Sequence, residues 1–84
     1  MSSARSPICR AVVLRRIDPD KRMARFYSLM VERDLFGSIT LVRAWGRIGT
    51  LGRERAEEYG TEFEARRALE ALARVKRQRG YRDL

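Results

Sequence analysis

The chain has 84 residues, 44% of them hydrophobic and 36% charged, which suits one compact domain and argues against wholesale disorder. Nineteen basic residues outnumber eleven acidic ones, giving a net charge of +8. One cysteine and no histidine exclude an intrachain disulfide, a Cys/His metal site and histidine-based acid–base catalysis, so no metal or cofactor is expected.

So large a charge on so small a domain favours phosphate-rich partners and speeds their capture. The basic residues are arginine except Lys21 and Lys76, a bias that solubility or base composition could also produce. No apolar run approaches the roughly 18 residues needed to span a bilayer. The N-terminus lacks the apolar core of a secretory signal, so a cytoplasmic protein with no membrane association is expected.

Residues Met1 to Pro7 are small and polar and read as a flexible tail ahead of a single domain over residues 8–84. Ile8 to Ile17, apolar and β-branched, predicts a first strand, with Cys9 as a small buried hydrophobe. Asp18-Pro19-Asp20 has the chemistry of a turn. Met23 to Arg33 alternates, with Phe26, Ser28, Met30 and Glu32 on one face and Arg25, Tyr27, Leu29 and Val31 on the other. After the turn Asp34-Leu35-Phe36-Gly37, a third strand spans Ser38 to Ile48. The two-glycine turn Gly49-Thr50-Leu51-Gly52 leads into a charged fourth strand, Arg53 to Tyr59.

Thr61 and Glu64 have the spacing of a capping box, which predicts a helix from about Glu62 to about Gln78. Ala65, Ala68, Leu69, Leu72 and Val75 form its apolar stripe, and Gly80 is its stop. Tyr81 to Leu84 either adds a short strand or lies against the sheet. A helix with one apolar stripe needs a sheet to bury it. The expected fold is therefore α+β: an antiparallel sheet of four to five strands in consecutive hairpins, with one C-terminal helix packed on one face.

Parity along the third strand puts Arg43, Trp45 and Arg47 on one face and Val42, Ala44, Gly46 and Ile48 on the other. The second set, small and apolar, is expected beneath the helix. The first is an aromatic ring between guanidinium groups, which offers stacking and bidentate phosphate contacts. Gly46 permits close approach of a partner or of a neighbouring backbone. A lone Trp is also a common core residue, and its Arg neighbours could simply be cation–π partners, so both readings of Trp45 stand on the residues alone.

The chain resembles a WGR domain. The resemblance rests on Arg25-Phe26-Tyr27, Asp34-Leu35-Phe36-Gly37, Leu41-Val42-Arg43, Trp45-Gly46-Arg47-Ile48-Gly49 and the closing Lys76-Arg77-Gln78-Arg79-Gly80-Tyr81. It runs through nearly the whole chain from about Arg10. It implies the sheet-and-helix fold above. In poly(ADP-ribose) polymerases, WGR domains bind DNA at strand breaks and contact neighbouring domains. Carried over, Trp45 would pack against the nucleic-acid backbone or sugar, and Arg47 would bridge DNA and partner. No stretch of the chain resembles those enzymes' catalytic domain or zinc fingers.

A second basic cluster, Lys76, Arg77, Arg79 and Arg82, gathers with Tyr81 at the helix end. The helix dipole favours cations at Lys76 and Arg77 but not at Arg79 and Arg82, which lie at or beyond the end, and a basic patch with one aromatic is also what a phosphate-tracking surface uses. Arg66, Arg67 and Arg74 read as solvated face, with Arg74 four residues after Glu70 as an intrahelical pair. Glu54, Glu57 and Glu58 are interleaved with Arg53 and Arg55 and read as ion-pair partners rather than as catalytic or metal-binding carboxylates.

The expected function is a non-enzymatic nucleic-acid-binding module, DNA before RNA, engaging backbone or ends without base specificity. Its expected contacts are Arg43, Trp45, Gly46, Arg47, Lys76, Arg79 and Tyr81. A monomer is favoured. A protein-interaction module serving a separate enzyme is the alternative.

Overall fold

A computed structural model describes residues 8–84; the tail expected over residues 1–7 lies outside them. Strands β1 (Ile8–Asp18), β2 (Met23–Arg33), β3 (Ile39–Arg47) and β4 (Arg53–Tyr59) follow one another in antiparallel hairpins. Helix α1 (Glu62–Gln78) comes next, and the chain then returns to pair a short β5 (Arg82–Asp83) with the free edge of β1. The sheet order is β4-β3-β2-β1-β5, the α+β arrangement expected, with five strands.

Local chemistry fixes the connections. Pro19 starts a short 3-10 turn that ends at Arg22, whose backbone is left-handed at φ 52°. At the β2–β3 turn, Asp34 Oδ1 accepts from the amides of Phe36 and Ser38, both at 2.8 Å, a side-chain turn that leaves Leu35 and Phe36 exposed. Thr61 Oγ1 accepts from the Glu64 amide at 3.1 Å and caps α1. Only that half of the expected capping box forms among the described residues; Glu64 makes no return bond.

The core is Val12, Leu14, Tyr27, Leu29, Val31, Ile39 and Leu41 from the sheet, closed by Ala65, Leu69 and Ala73 from α1. Ala68, Leu72 and Cys9 pack at its margin. Two expectations are corrected. Val75 is exposed, and Ala73 takes its place in the stripe. More consequentially, the helix covers the face of β3 that carries Ile39, Leu41 and Trp45, not the face of Val42, Ala44 and Gly46. The reason is packing volume. Close approach of helix to sheet is provided by the helix's own alanines, which lets the sheet contribute its large residues.

Ion pairs tie α1 to the sheet. Arg33 and Arg66 both reach Glu62, at 2.6 and 2.9 Å, and Arg66 foremost holds that carboxyl below its usual range. Glu70 pairs with Arg10 of β1 at 2.9 Å rather than with Arg74. Exposed pairs of this kind contribute little each, about 0–1 kcal/mol.

Candidate nucleic-acid interface

Burial falls along β3. Ile39 and Leu41 lie under the helix, Arg43 and Trp45 are half-buried, and Arg47 is exposed. The face that begins as core thus opens beside the C-terminal end of α1 into a hollow of about 330 Å³ lined by Arg25, Phe26, Tyr27, Trp45, Gly46, Arg47, Lys76 and Tyr81. Trp45 is only in part a core residue. It packs against the core margin and also lines the hollow.

Register builds the aromatic wall. Tyr27 and Trp45 are directly opposite on β2 and β3 and stack with centroids 6.0 Å apart and planes 20° from parallel. The helix terminus supplies the other side. The Tyr81 amide donates to the Lys76 carbonyl at 3.0 Å and the Gly80 amide to that of Arg77 at 3.1 Å, with Gly80 at φ +100°. This is a Schellman ending, in which the residue after the glycine meets the side chain three before the cap. Here those residues are Tyr81 and Lys76, so the closing sequence itself brings them together. Lys76 also continues the buried stripe one turn past Leu72 and Ala73. Its ammonium sits 4.5 Å from the Tyr27 ring centre and 5.5 Å from that of Tyr81, and the two tyrosines meet edge to face at 6.4 Å.

No carboxylate lines the hollow. Desolvation, then repulsion from Arg79, Arg25 and Arg43, pushes the Lys76 pKa below the usual lysine value. An ammonium crowded by cations and aromatics is a site whose energy an anion would lower.

Of the residues expected from sequence, Trp45, Gly46, Arg47, Lys76 and Tyr81 converge on this hollow. Arg43 and Arg79 do not line it but act on Lys76 through their charge. Arg43 lies 3.7 Å from Glu57, and its Nε is buried without a hydrogen-bond partner. Arg77 and Arg82 do not line it. Arg77 makes a two-pronged bond to Asp83 at 2.7 and 2.8 Å that fastens β5 to the helix. Arg25, Phe26 and Tyr27 line the hollow but were not expected there. Their signal was cross-strand register, since Arg25 and Tyr27 face Arg47 and Trp45.

Gly46 has a different role from the helix packing expected of it. It lies on the uncovered face, where the β3–β4 turn folds back over it. A Cβ on Gly46 would stand 2.7 Å from the Gly52 Cα, and one on Gly52, at φ +70°, would collide with the Trp45 carbonyl. Of the two approaches Gly46 could permit, the structure shows that of a neighbouring backbone.

A larger hollow of about 460 Å³ lies on the outer side of α1, lined by Phe63, Arg66, Arg67, Glu70, Ala71 and Arg74. It lies between solvated side chains and includes Glu70, so it does not match the anion chemistry of the first. Among the described residues no cluster of His, Cys, Asp or Glu could hold a metal, and no helix is long and apolar enough to cross a membrane.

Fold and site together define a small α+β domain with a cationic, aromatic hollow beside the end of its one helix. The family model for the WGR domain matches residues 10–84, and the chain belongs to that family. It is 49% identical over 67 residues to the uncharacterized protein y4dW of Sinorhizobium fredii, an alignment covering 80% of this chain and 33% of that protein. The chain therefore spans about a third of that relative's length. No solved structure matches it.

Proposed function

We propose that this protein is a nucleic-acid-binding module, without catalytic activity of its own, that holds the sugar-phosphate backbone in the Trp45–Lys76 hollow. The observation that carries this reading is the Lys76 ammonium, fixed among Trp45, Tyr27 and Tyr81 with arginines around it and no carboxylate in the lining. The aromatic rings give a base or sugar a flat apolar contact, while Lys76, Arg25 and Arg47 neutralise phosphate. Both contact types are indifferent to sequence, so binding without base specificity is expected, with DNA as the first candidate. Family membership supports the same reading.

Titration of labelled duplex, nicked and single-stranded DNA, and of the corresponding RNA, tests it. Binding at low salt should weaken steeply as salt rises. Lys76→Gln should weaken it more than Arg67→Gln on the outer helix face. Failure of the wild-type chain to bind any of these at low salt would refute the reading.

One observation favours a protein partner in addition. Leu35 and Phe36, 87% and 92% exposed, are presented on the hydrogen-bonded β2–β3 turn, at the opposite end of β3 from Trp45. Loss of a pull-down partner on Phe36→Ser, with DNA binding unchanged, would support that second surface.

A further inference from the structure

Arginines stand side by side across the sheet. Arg16 of β1 is opposite Arg25 of β2, and Arg25 is opposite Arg47 of β3. Like charges directly opposite on neighbouring strands destabilise a sheet. Among the described residues none of these three makes an ion pair with a carboxylate. The β1–β2 hairpin adds to the row. A second hollow, of about 200 Å³, is lined by Lys21, Arg22, Met23, Ala24, Arg25 and Arg47, and again no carboxylate lines it. It shares Arg25 and Arg47 with the Trp45–Lys76 hollow. Arg22 also holds a left-handed backbone, φ 52° and ψ 41°, where glycine would sit without strain. The Arg22 amide closes this turn on the Pro19 carbonyl at 3.1 Å, which places Lys21 and Arg22 at the tip of the hairpin.

We propose that the arginine row and the Lys21–Arg22 hairpin form a second phosphate station, continuous with the first through Arg25 and Arg47. The ligand of the complete surface is then a strand with several consecutive phosphates, a polynucleotide rather than a free nucleotide. Neighbouring strands lie about 4.8 Å apart, so the row spans about 10 Å from β1 to β3. That is the axial rise of about three nucleotides of one strand. Arg25 and Arg47 sit between the stations, where each can serve either phosphate. The hairpin, at the end of the sheet, extends the track away from Trp45.

This inference rests on the nucleic-acid reading, and one experiment separates the two. Binding of a labelled 20-base-pair duplex is measured from 50 to 200 mM salt for the wild type, Lys76→Gln, Arg22→Gly and the Lys21→Ala/Arg22→Gly pair, with thermal unfolding of each. Arg22→Gly relieves the left-handed strain, so its melting temperature should equal or exceed the wild type's. Removing two phosphate contacts should flatten the plot of log K against log salt by about 1.8, so the loss of affinity should be about tenfold greater at 50 mM than at 200 mM salt. Arg22→Gly alone should give about half that change in slope. Weaker binding by Lys76→Gln, with wild-type affinity and slope in both hairpin variants, would overturn the second station and leave the first. No duplex binding by the wild type would overturn both.

Discussion

Substituting alanine for Gly46 should destabilise the fold through crowding alone. Gly46 lies inside β3 with no left-handed backbone, so an added methyl introduces no dihedral strain. It would, however, stand 2.7 Å from the Gly52 Cα, against an ordinary carbon contact of about 3.5–4.0 Å. The Gly52 backbone has little room to retreat. The turn is anchored by the Ile48 amide on the Ala24 carbonyl at 2.9 Å and by the Thr50 amide and hydroxyl on the Arg47 carbonyl. The Phe26 ring, 3.5 Å from the same Cβ, closes another side. Overpacking of this kind costs about 1–3 kcal/mol, and replacing glycine recovers about 0.4–1 kcal/mol by narrowing the unfolded ensemble. The net loss of about 1.5 kcal/mol should lower Tm by about 6–12 °C in a domain of this size. Calorimetry or thermal circular dichroism reads this directly. A Gly46→Ala variant with wild-type Tm would refute the crowding argument, and with lost DNA binding it would place Gly46 at the ligand instead.

Gly80→Ala strains the Schellman ending at φ +100° and should cost about 1–2 kcal/mol. It should also weaken DNA binding, because Tyr81 and Lys76 are positioned by that turn; parallel melting and titration check both. Thr61→Ala removes the cap at the other end of α1, for about 1 kcal/mol of stability, and should leave DNA affinity unchanged under conditions where the protein is folded. Lys76, a base whose folded pKa is depressed, is disfavoured in its charged form by the fold. Its contribution therefore opposes folding below the folded pKa and is relieved as pH rises from there through its unfolded value. A bound phosphate should raise that pKa, so DNA affinity should fall as pH climbs through the alkaline range; titration of the lysine Nζ by NMR, with and without oligonucleotide, measures the shift. For Asp83 the sign is opposite. Arg77 lowers its pKa, so whatever stability the pair supplies is present above the usual carboxylate range and lost in acid, visible as fraying of β5 in amide exchange.

Most elements were legible because each carries its own local signal: alternation in Met23 to Arg33, turn residues at Asp18-Pro19-Asp20, the Thr61 cap, the Gly80 stop. The parity that joins Arg43, Trp45 and Arg47 was legible for the same reason. Which face the helix covers was not, because it depends on volumes summed over two elements. The small residue Gly46 signals close approach, but the approaching group is the β3–β4 turn, while the alanines of α1 admit the helix to the other side. The place of Tyr27 and Arg25 in the hollow is not legible for a related reason. Parity placed them on one face, but only register sets Tyr27 against Trp45 and Arg25 against Arg47. Lys76 and Tyr81 are legible as part of a basic, aromatic end. Their meeting over Tyr27 required the helix to lie across β2.

Trp45 is the only tryptophan in the chain, so its fluorescence reports on the hollow without labelling. Titrating the wild-type protein with a short oligonucleotide at low salt, while following binding independently by anisotropy of a labelled strand, tests whether that hollow is the binding site. The expected result is a saturable change in Trp45 emission with the same Kd as the anisotropy, and Trp45→Ala weaker by about 5- to 150-fold, the equivalent of about 1–3 kcal/mol of stacking. Binding that leaves Trp45 emission unchanged and survives Trp45→Ala at full affinity would contradict it.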